Sequence, residues 1–151
     1  MVSARKNHKS VTPEYTAYLL HTVGVTARRM LAIVEPINQQ YSLGPRGASM
    51  LTLIDRGAVH PAQLAEIYEV GRSLITAEIN RLLSAKLVVR NESDGDRRRT
   101  TLSLTPLGKK VSADSFKTIL KVVDTSLARY SDQERNLLLT MLIDLGGESR
   151  N

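Results

Sequence analysis

The chain has 151 residues, with 21 Lys and Arg against 15 Asp and Glu and no cysteine. That length is one domain's worth, and a hydrophobic content of 42% supports a packed core, which excludes global disorder. Disulfides and thiol redox chemistry are excluded outright.

The beginning of the chain carries no apolar signal core, and no apolar run approaches the ~18 residues of a membrane span. A cytoplasmic location without a membrane partner is therefore the expectation. The net charge of +6 raises the prospect of a polyanionic partner. Its distribution is sharper than its total, because residues 70–110 alone hold nine basic and four acidic side chains.

Residues 1–12 are short, basic and polar and read as a frayed arm. Thr12-Pro13-Glu14 then supplies a helix cap, a proline for the first turn and an acidic residue beside the positive end of the helix dipole. A long helix follows through Leu19, Leu20, Val23, Ala27, Met30, Leu31 and Val34, with Pro36 ending or kinking it. Leu43-Gly44-Pro45-Arg46-Gly47 is a turn. A second, short helix is predicted over 48–55, closed by Arg56-Gly57, and Ala58-Val59 is too brief for more than a small strand.

His60-Pro61 opens a third helix over 62–68, and Val70-Gly71-Arg72-Ser73 turns into a fourth over 74–85. The inward positions are Leu64, Ala65, Ile75, Ile79 and Leu82. Arg72, Ser73, Thr76, Asn80 and Arg81 fall on the opposite side, which makes a helix-turn-helix pattern. Leu87-Val88-Val89-Arg90-Asn91 reads as a strand. The turn that follows, Asp94-Gly-Asp-Arg-Arg-Arg99, leads into a second strand in which Leu102 and Leu104 alternate with Thr101 and Ser103. Three adjacent arginines at a hairpin tip repel one another unless an anion is near, and what suits a thin basic hairpin is a nucleic-acid backbone or the negative potential of a narrow minor groove. Helix, turn, helix, strand, wing, strand is the order of a winged helix.

Two more helices are predicted. One runs over 106–130 with Leu107, Val111, Ile119, Leu120, Val123 and Leu127 at helical spacing. The other covers 131–145, begins with the capping box Ser131-Asp-Gln-Glu134, and carries Leu137, Leu138, Met141, Leu142 and Leu145 on one face. These long apolar stripes flank a module complete without them, so they call for a shared core with a second copy, an intrachain three-helix pack being the alternative. The expected fold class is mainly α with a small β wing (α+β). Its divisions are a basic arm (1–12), an N-terminal dimerisation helix (13–43), a winged helix-turn-helix DNA-binding domain (44–108) and C-terminal dimerisation helices (106–147).

From about Leu43 to Gly108 this order of elements, with Asp96-Arg97-Arg98 and the following Leu104-Thr105-Pro-Leu-Gly108, resembles the MarR family of bacterial transcriptional regulators. The resemblance implies that the recognition helix is 73–84, with Arg72, Ser73, Thr76, Ala77 and Arg81 nearest the DNA; Asn80 joins them by its spacing. It also implies that Asp96 orients Arg98 toward the minor groove, with Arg97 and Arg99 as phosphate contacts. Lys86 and Arg90 are expected at the phosphate backbone or in solvent rather than at base edges.

Two positions depart from the family pattern. Glu69 stands where glycine is common, so either the turn tolerates it or the third helix runs on. Glu78 stands where an apolar residue is common, and it has Arg81 or Arg46 to pair with.

The expected function is therefore a homodimeric regulator of double-stranded DNA, a repressor at a palindromic operator. An architectural DNA-binding protein without operator specificity or effector is the alternative. The family resemblance further implies release by a small anionic effector, an aromatic acid or its thioester. Candidates for its pocket are Tyr15, Tyr18, His21, Thr22, Arg28, Arg29, Arg46 and Phe116, the arginines as carboxylate clamps. No cofactor or metal is expected, since His8, His21 and His60 are scattered, with His60 read as a helix N-terminal residue. No nucleophile-base spacing, phosphate loop or carboxylate pair points to an enzyme.

Overall fold

A computed structural model describes residues 10–57, 59–93 and 96–147, and over 92–93 and 96–99 it describes the backbone alone. Residues 1–9 of the anticipated basic arm, with His8, lie outside the described residues, as does Ala58. In chain order the elements are α1 (Pro13–Ala32), α2 (Glu35–Gln40), α3 (Gly47–Asp55), α4 (Pro61–Ile67), α5 (Arg72–Ser84), β1 (Val88–Ser93), β2 (Asp96–Leu104), α6 (Pro106–Leu127) and α7 (Asp132–Gly146).

The start of α1 follows from its cap: the Thr12 hydroxyl oxygen accepts the Tyr15 N–H at 3.2 Å, with Pro13 in the first turn. Its end agrees with the expectation that Pro36 ends or kinks the helix: α1 stops at Ala32, short of Val34, and a short α2 starts at Glu35 with Pro36 in its first turn. Proline removes the N–H that would reach back to Ala32 and its ring crowds that carbonyl, so the break falls ahead of it, at Ile33 and Val34. In the first turn of a new helix the missing N–H costs nothing. The expected fourth helix is accordingly α5.

The core lies within the winged module. Met50, Leu51 and Ile54 of α3, Leu64 of α4, and Ile75, Ile79 and Leu82 of α5 pack with Leu87, Val88, Leu102 and Val111 in one buried cluster. A fully buried side chain of this size contributes about 1.5–3 kcal/mol, so this cluster dominates the stability of the chain. The expected inward positions Leu64, Ile75, Ile79 and Leu82 are all in it, and Ala65 packs against its edge.

The two strands form an antiparallel hairpin in which Val88 pairs with Leu104 and Asn91 with Thr101. The Leu102 N–H also donates to the Val59 carbonyl at 2.9 Å, where a small strand is expected at 58–59.

Three helix ends share one geometry. Ser42, Glu69 and Lys86 follow α2, α4 and α5 with φ of 54°, 50° and 57°, the left-handed region that favours glycine. At each, the next N–H bonds five residues back: Leu43 to Asn38, Val70 to Ala65 and Leu87 to Leu82. That is a Schellman cap made without glycine. It resolves the question at Glu69, because the turn tolerates glutamate and α4 does not run on. The left-handed conformation carries a steric cost for any side chain, so Glu69→Gly is expected to raise stability by about 1 kcal/mol. A urea midpoint at fixed protein concentration checks this, and an unchanged or lower midpoint would rule it out.

The junction of wing and α6 explains the spacing Leu104-Thr105-Pro-Leu-Gly108. The Thr105 hydroxyl oxygen accepts the Gly108 N–H at 2.9 Å, capping α6, and its own hydrogen goes to the Lys86 carbonyl at 2.8 Å. The Thr105 N–H donates to the Leu87 carbonyl at 3.0 Å. That same carbonyl lies so close to Gly108 that a Cβ there would collide with it.

The flanking helices behave differently from the module. Neither α1 nor α7 contains a fully buried residue, whereas α6 is anchored on the core through Val111, Ser112 and Ser115. The capping box of α7 forms as read, with the Ser131 N–H donating to a Glu134 carboxylate oxygen at 2.8 Å. The backbone N–H and hydroxyl of Ser131 hold the Glu134 carboxyl below the usual carboxylate range. Among the described residues no helix is long and apolar enough to cross a membrane.

Candidate nucleic-acid interface

α5 is amphipathic with a sharp division. Ile75, Glu78, Ile79 and Leu82 are buried, and Arg72, Ser73, Thr76, Ala77, Asn80 and Arg81 are all exposed. All six residues expected on the recognition surface thus share the outward side of one 13-residue helix. Such a helix matches the width of a DNA major groove.

The chemistry on that side is partly set by local bonds. The Thr76 hydroxyl donates to the Arg72 carbonyl at 2.9 Å, so its hydrogen is engaged by the helix itself. Arg90 on β1 donates to the Asn80 side-chain carbonyl at 3.0 Å, tying the wing strand to α5. The Asn80 amide group is thereby turned to present its NH2 as a donor. Arg81 is held by Glu78 at 3.3 Å. Asn80, Arg81 and Ser84 also form one wall of an open cleft whose other wall is Gln40, Tyr41 and Ser42.

The wing departs from simple alternation. Between the pairs Asn91–Thr101 and Ser93–Asp96 the hairpin register shifts, with five residue steps on β2 against two on β1. Residues 97–99, the arginine run, occupy that irregular stretch of the backbone. The side chains of Asp96, Arg97, Arg98 and Arg99 lie outside the described residues.

Two contributors were not singled out from sequence. Asn38, 1% exposed, accepts the Ala48 N–H at 2.9 Å and donates to the Pro45 carbonyl at 3.4 Å, fixing the turn ahead of α3. A polar residue in Ile-Asn-Gln-Gln carries no mark of burial, so only the three-dimensional turn reveals it. The second is Gly44 in the same turn, where a Cβ would strike both the Glu78 carboxylate and the Arg81 guanidinium.

The residues expected to form an effector pocket are not joined within one chain. Tyr15, Tyr18, His21, Thr22, Arg28 and Arg29 are exposed along α1. Arg46 sits over the Tyr68 ring, 6.0 Å from its centroid, and the Tyr68 hydroxyl bonds Ser49 at 2.7 Å. Burial raises the Tyr68 pKa. Phe116 stacks instead beneath Arg56, at 4.8 Å. His60 caps α4, and its N–H donates to Gln63 at 3.1 Å. Among the described residues no group of three His, Cys, Asp or Glu side chains converges.

Comparison with known proteins places this geometry. Residues 42–99, from the turn before α3 through the arginine run, match the MarR family model. The winged module is thus similar to the MarR family. A Thauera aromatica protein, whose name assigns it to transcriptional regulation of the hcr operon, is 37% identical over 79 residues. That match covers 52% of this chain and 48% of the relative, so the chain spans about half the relative's length.

The fold agrees along nearly the whole chain. A MarR protein from Peptoclostridium difficile has a TM-score of 0.76 at 17% identity, covering 95% of this chain and 94% of that one. The structure of NadR in complex with 4-hydroxyphenylacetate has a TM-score of 0.67 at 22% identity, covering 95% and 97%.

Proposed function

We propose that this chain is a homodimeric transcriptional regulator of the MarR family acting as a repressor: it occupies a palindromic operator and leaves it when a small anionic effector binds. The outward row Arg72, Ser73, Thr76, Ala77, Asn80 and Arg81 on α5, tied to the wing by the Arg90–Asn80 bond, is the observation that carries the reading. α5 enters a major groove, and the wing reaches the adjacent minor groove with Arg98 inserted and Asp96 orienting it. Arg97 and Arg99 bind phosphates. A two-fold dimer places its half-site centres about one helical turn, ~34 Å, apart.

The dimer is supported by apolar faces that this chain leaves uncovered. Leu20 and Leu31 on α1, Leu120 on α6, and Leu137, Met141 and Leu145 on α7 are each more than half exposed. Water-exposed stripes of this extent mark association surfaces.

For the effector, an aromatic acid or its thioester is the class that suits tyrosines and arginines along α1 facing Arg46 or Phe116 across a dimer cleft. The complex of the similarly folded NadR with 4-hydroxyphenylacetate supports that class. The effector acts only by binding the DNA-free conformation more tightly.

Selection from a random-sequence duplex library tests the reading. The expected product is a near-palindromic site, whereas an architectural protein would enrich no sequence. On the selected duplex at fixed salt, Arg98→Ala is expected to weaken binding about tenfold or more. Unchanged affinity with the variant still dimeric would remove Arg98 from the wing contact.

A further inference from the structure

Glu78 occupies the inward row of α5, where its neighbours Ile75, Ile79 and Leu82 are apolar, and only 1% of it is exposed. One carboxylate oxygen accepts the Arg81 guanidinium at 3.3 Å. The other is buried and has no hydrogen-bond partner. Taking a carboxylate out of water is costly, and a single contact to a half-exposed arginine compensates little of that cost. An apolar residue would pack the position better. The charge is therefore poorly explained by stability and calls for another role.

The surroundings indicate what that role is. The turn before α3 passes directly over the pair, and Gly44 leaves the space that the carboxylate and the guanidinium fill together. Asn38 fixes that turn. Arg81 is thus gripped from the protein side by Glu78 under Gly44, while half of its side chain remains exposed beside Asn80. A free arginine loses much rotamer freedom when it docks; one already held at one nitrogen loses less. Its guanidinium has five N–H donors, so one bond to Glu78 leaves the others for DNA.

We propose that Glu78 is a positioning residue for Arg81: buried beneath Gly44, it fixes the guanidinium in the orientation that reads DNA and so sets specificity at the base pair Arg81 meets. This rests on the reading of α5 as the recognition helix. It assigns a function to the buried charge, and it makes Gly44 part of the same device, because any side chain there would push the pair apart.

A double-mutant cycle tests it, using the duplex selected by the wild-type protein. Affinities are measured for wild type, Glu78→Gln, Arg81→Ala and the double variant, with dimer and helix content checked for each. Glu78→Gln keeps the shape and loses the charge; it is expected to weaken binding about tenfold and to relax preference at one base pair per half-site. In the Arg81→Ala background the same change is expected to cost less than about twofold, the sign of two residues acting as a unit.

Equal losses in both backgrounds, or no loss in either, would overturn the proposal. If Glu78→Gln does not fold, Gly44→Ala replaces it in the cycle, since it retains both charged groups and displaces them; the same outcomes apply. Should wild type itself select no sequence, the recognition-helix reading falls and this inference with it. Selection by wild type with an unaltered Glu78→Gln variant removes the inference alone.

Discussion

The double variant Leu138→Glu, Leu142→Glu is expected to run as a monomer and to bind its operator at least about a thousandfold more weakly than wild type. Both leucines lie on α7 with 42% and 46% of their surface exposed in the single chain, and α7 buries no residue of its own. Two glutamates per copy would face two more across a two-fold interface, and desolvating four carboxylates without partners is prohibitive. The DNA-binding surface is untouched. The loss comes instead from separating two half-sites that bind as one, which removes the effective concentration each supplies to the other. Light scattering and a titration check both parts. A variant that stays dimeric would move the interface elsewhere, and a monomer with undiminished affinity would show that dimerisation is unnecessary for binding.

The second large effect is expected at Gly108. A methyl group there would meet the Leu87 carbonyl, a backbone atom that cannot rotate away. This carbonyl already accepts the Thr105 N–H at 3.0 Å, and Thr105 caps α6. Moving the carbonyl therefore strains the wing at its root and the helix start together. Gly108→Ala is expected to cost about 3 kcal/mol, at the upper end for overpacking, where loss of the cap in Thr105→Ala costs only about 1 kcal/mol. Urea unfolding of the two variants decides: similar midpoints would mean that the junction relaxes and that glycine there is not a steric requirement.

Local signals in the sequence translated well into structure. Thr12-Pro13 and Ser131 with Glu134 form the caps that their spacing implies, because capping needs only atoms three residues apart. The inward rows of α4 and α5 followed from period alone. Pro36 marked the break correctly, but local reading did not show that a second short helix, α2, starts beside it at Glu35.

Tertiary facts were less accessible. Glu78 was legible as an anomaly with two possible partners, Arg81 and Arg46, and only the fold pairs it with Arg81. Gly44 read as an ordinary turn glycine because the group it accommodates lies 34 positions further along the chain. The candidate effector residues along α1 are exposed, while Arg46 and Phe116 contact Tyr68 and Arg56 instead.

That α5 and the wing read DNA sequence is tested most directly by titrating the protein with the selected duplex and with a scrambled duplex of the same composition, at low and at physiological salt. The predicted result is a preference of about a thousandfold or more for the selected duplex, persisting as raised salt weakens both affinities together. Equal affinity for the two duplexes at physiological salt would contradict it and leave only charge-driven binding to DNA.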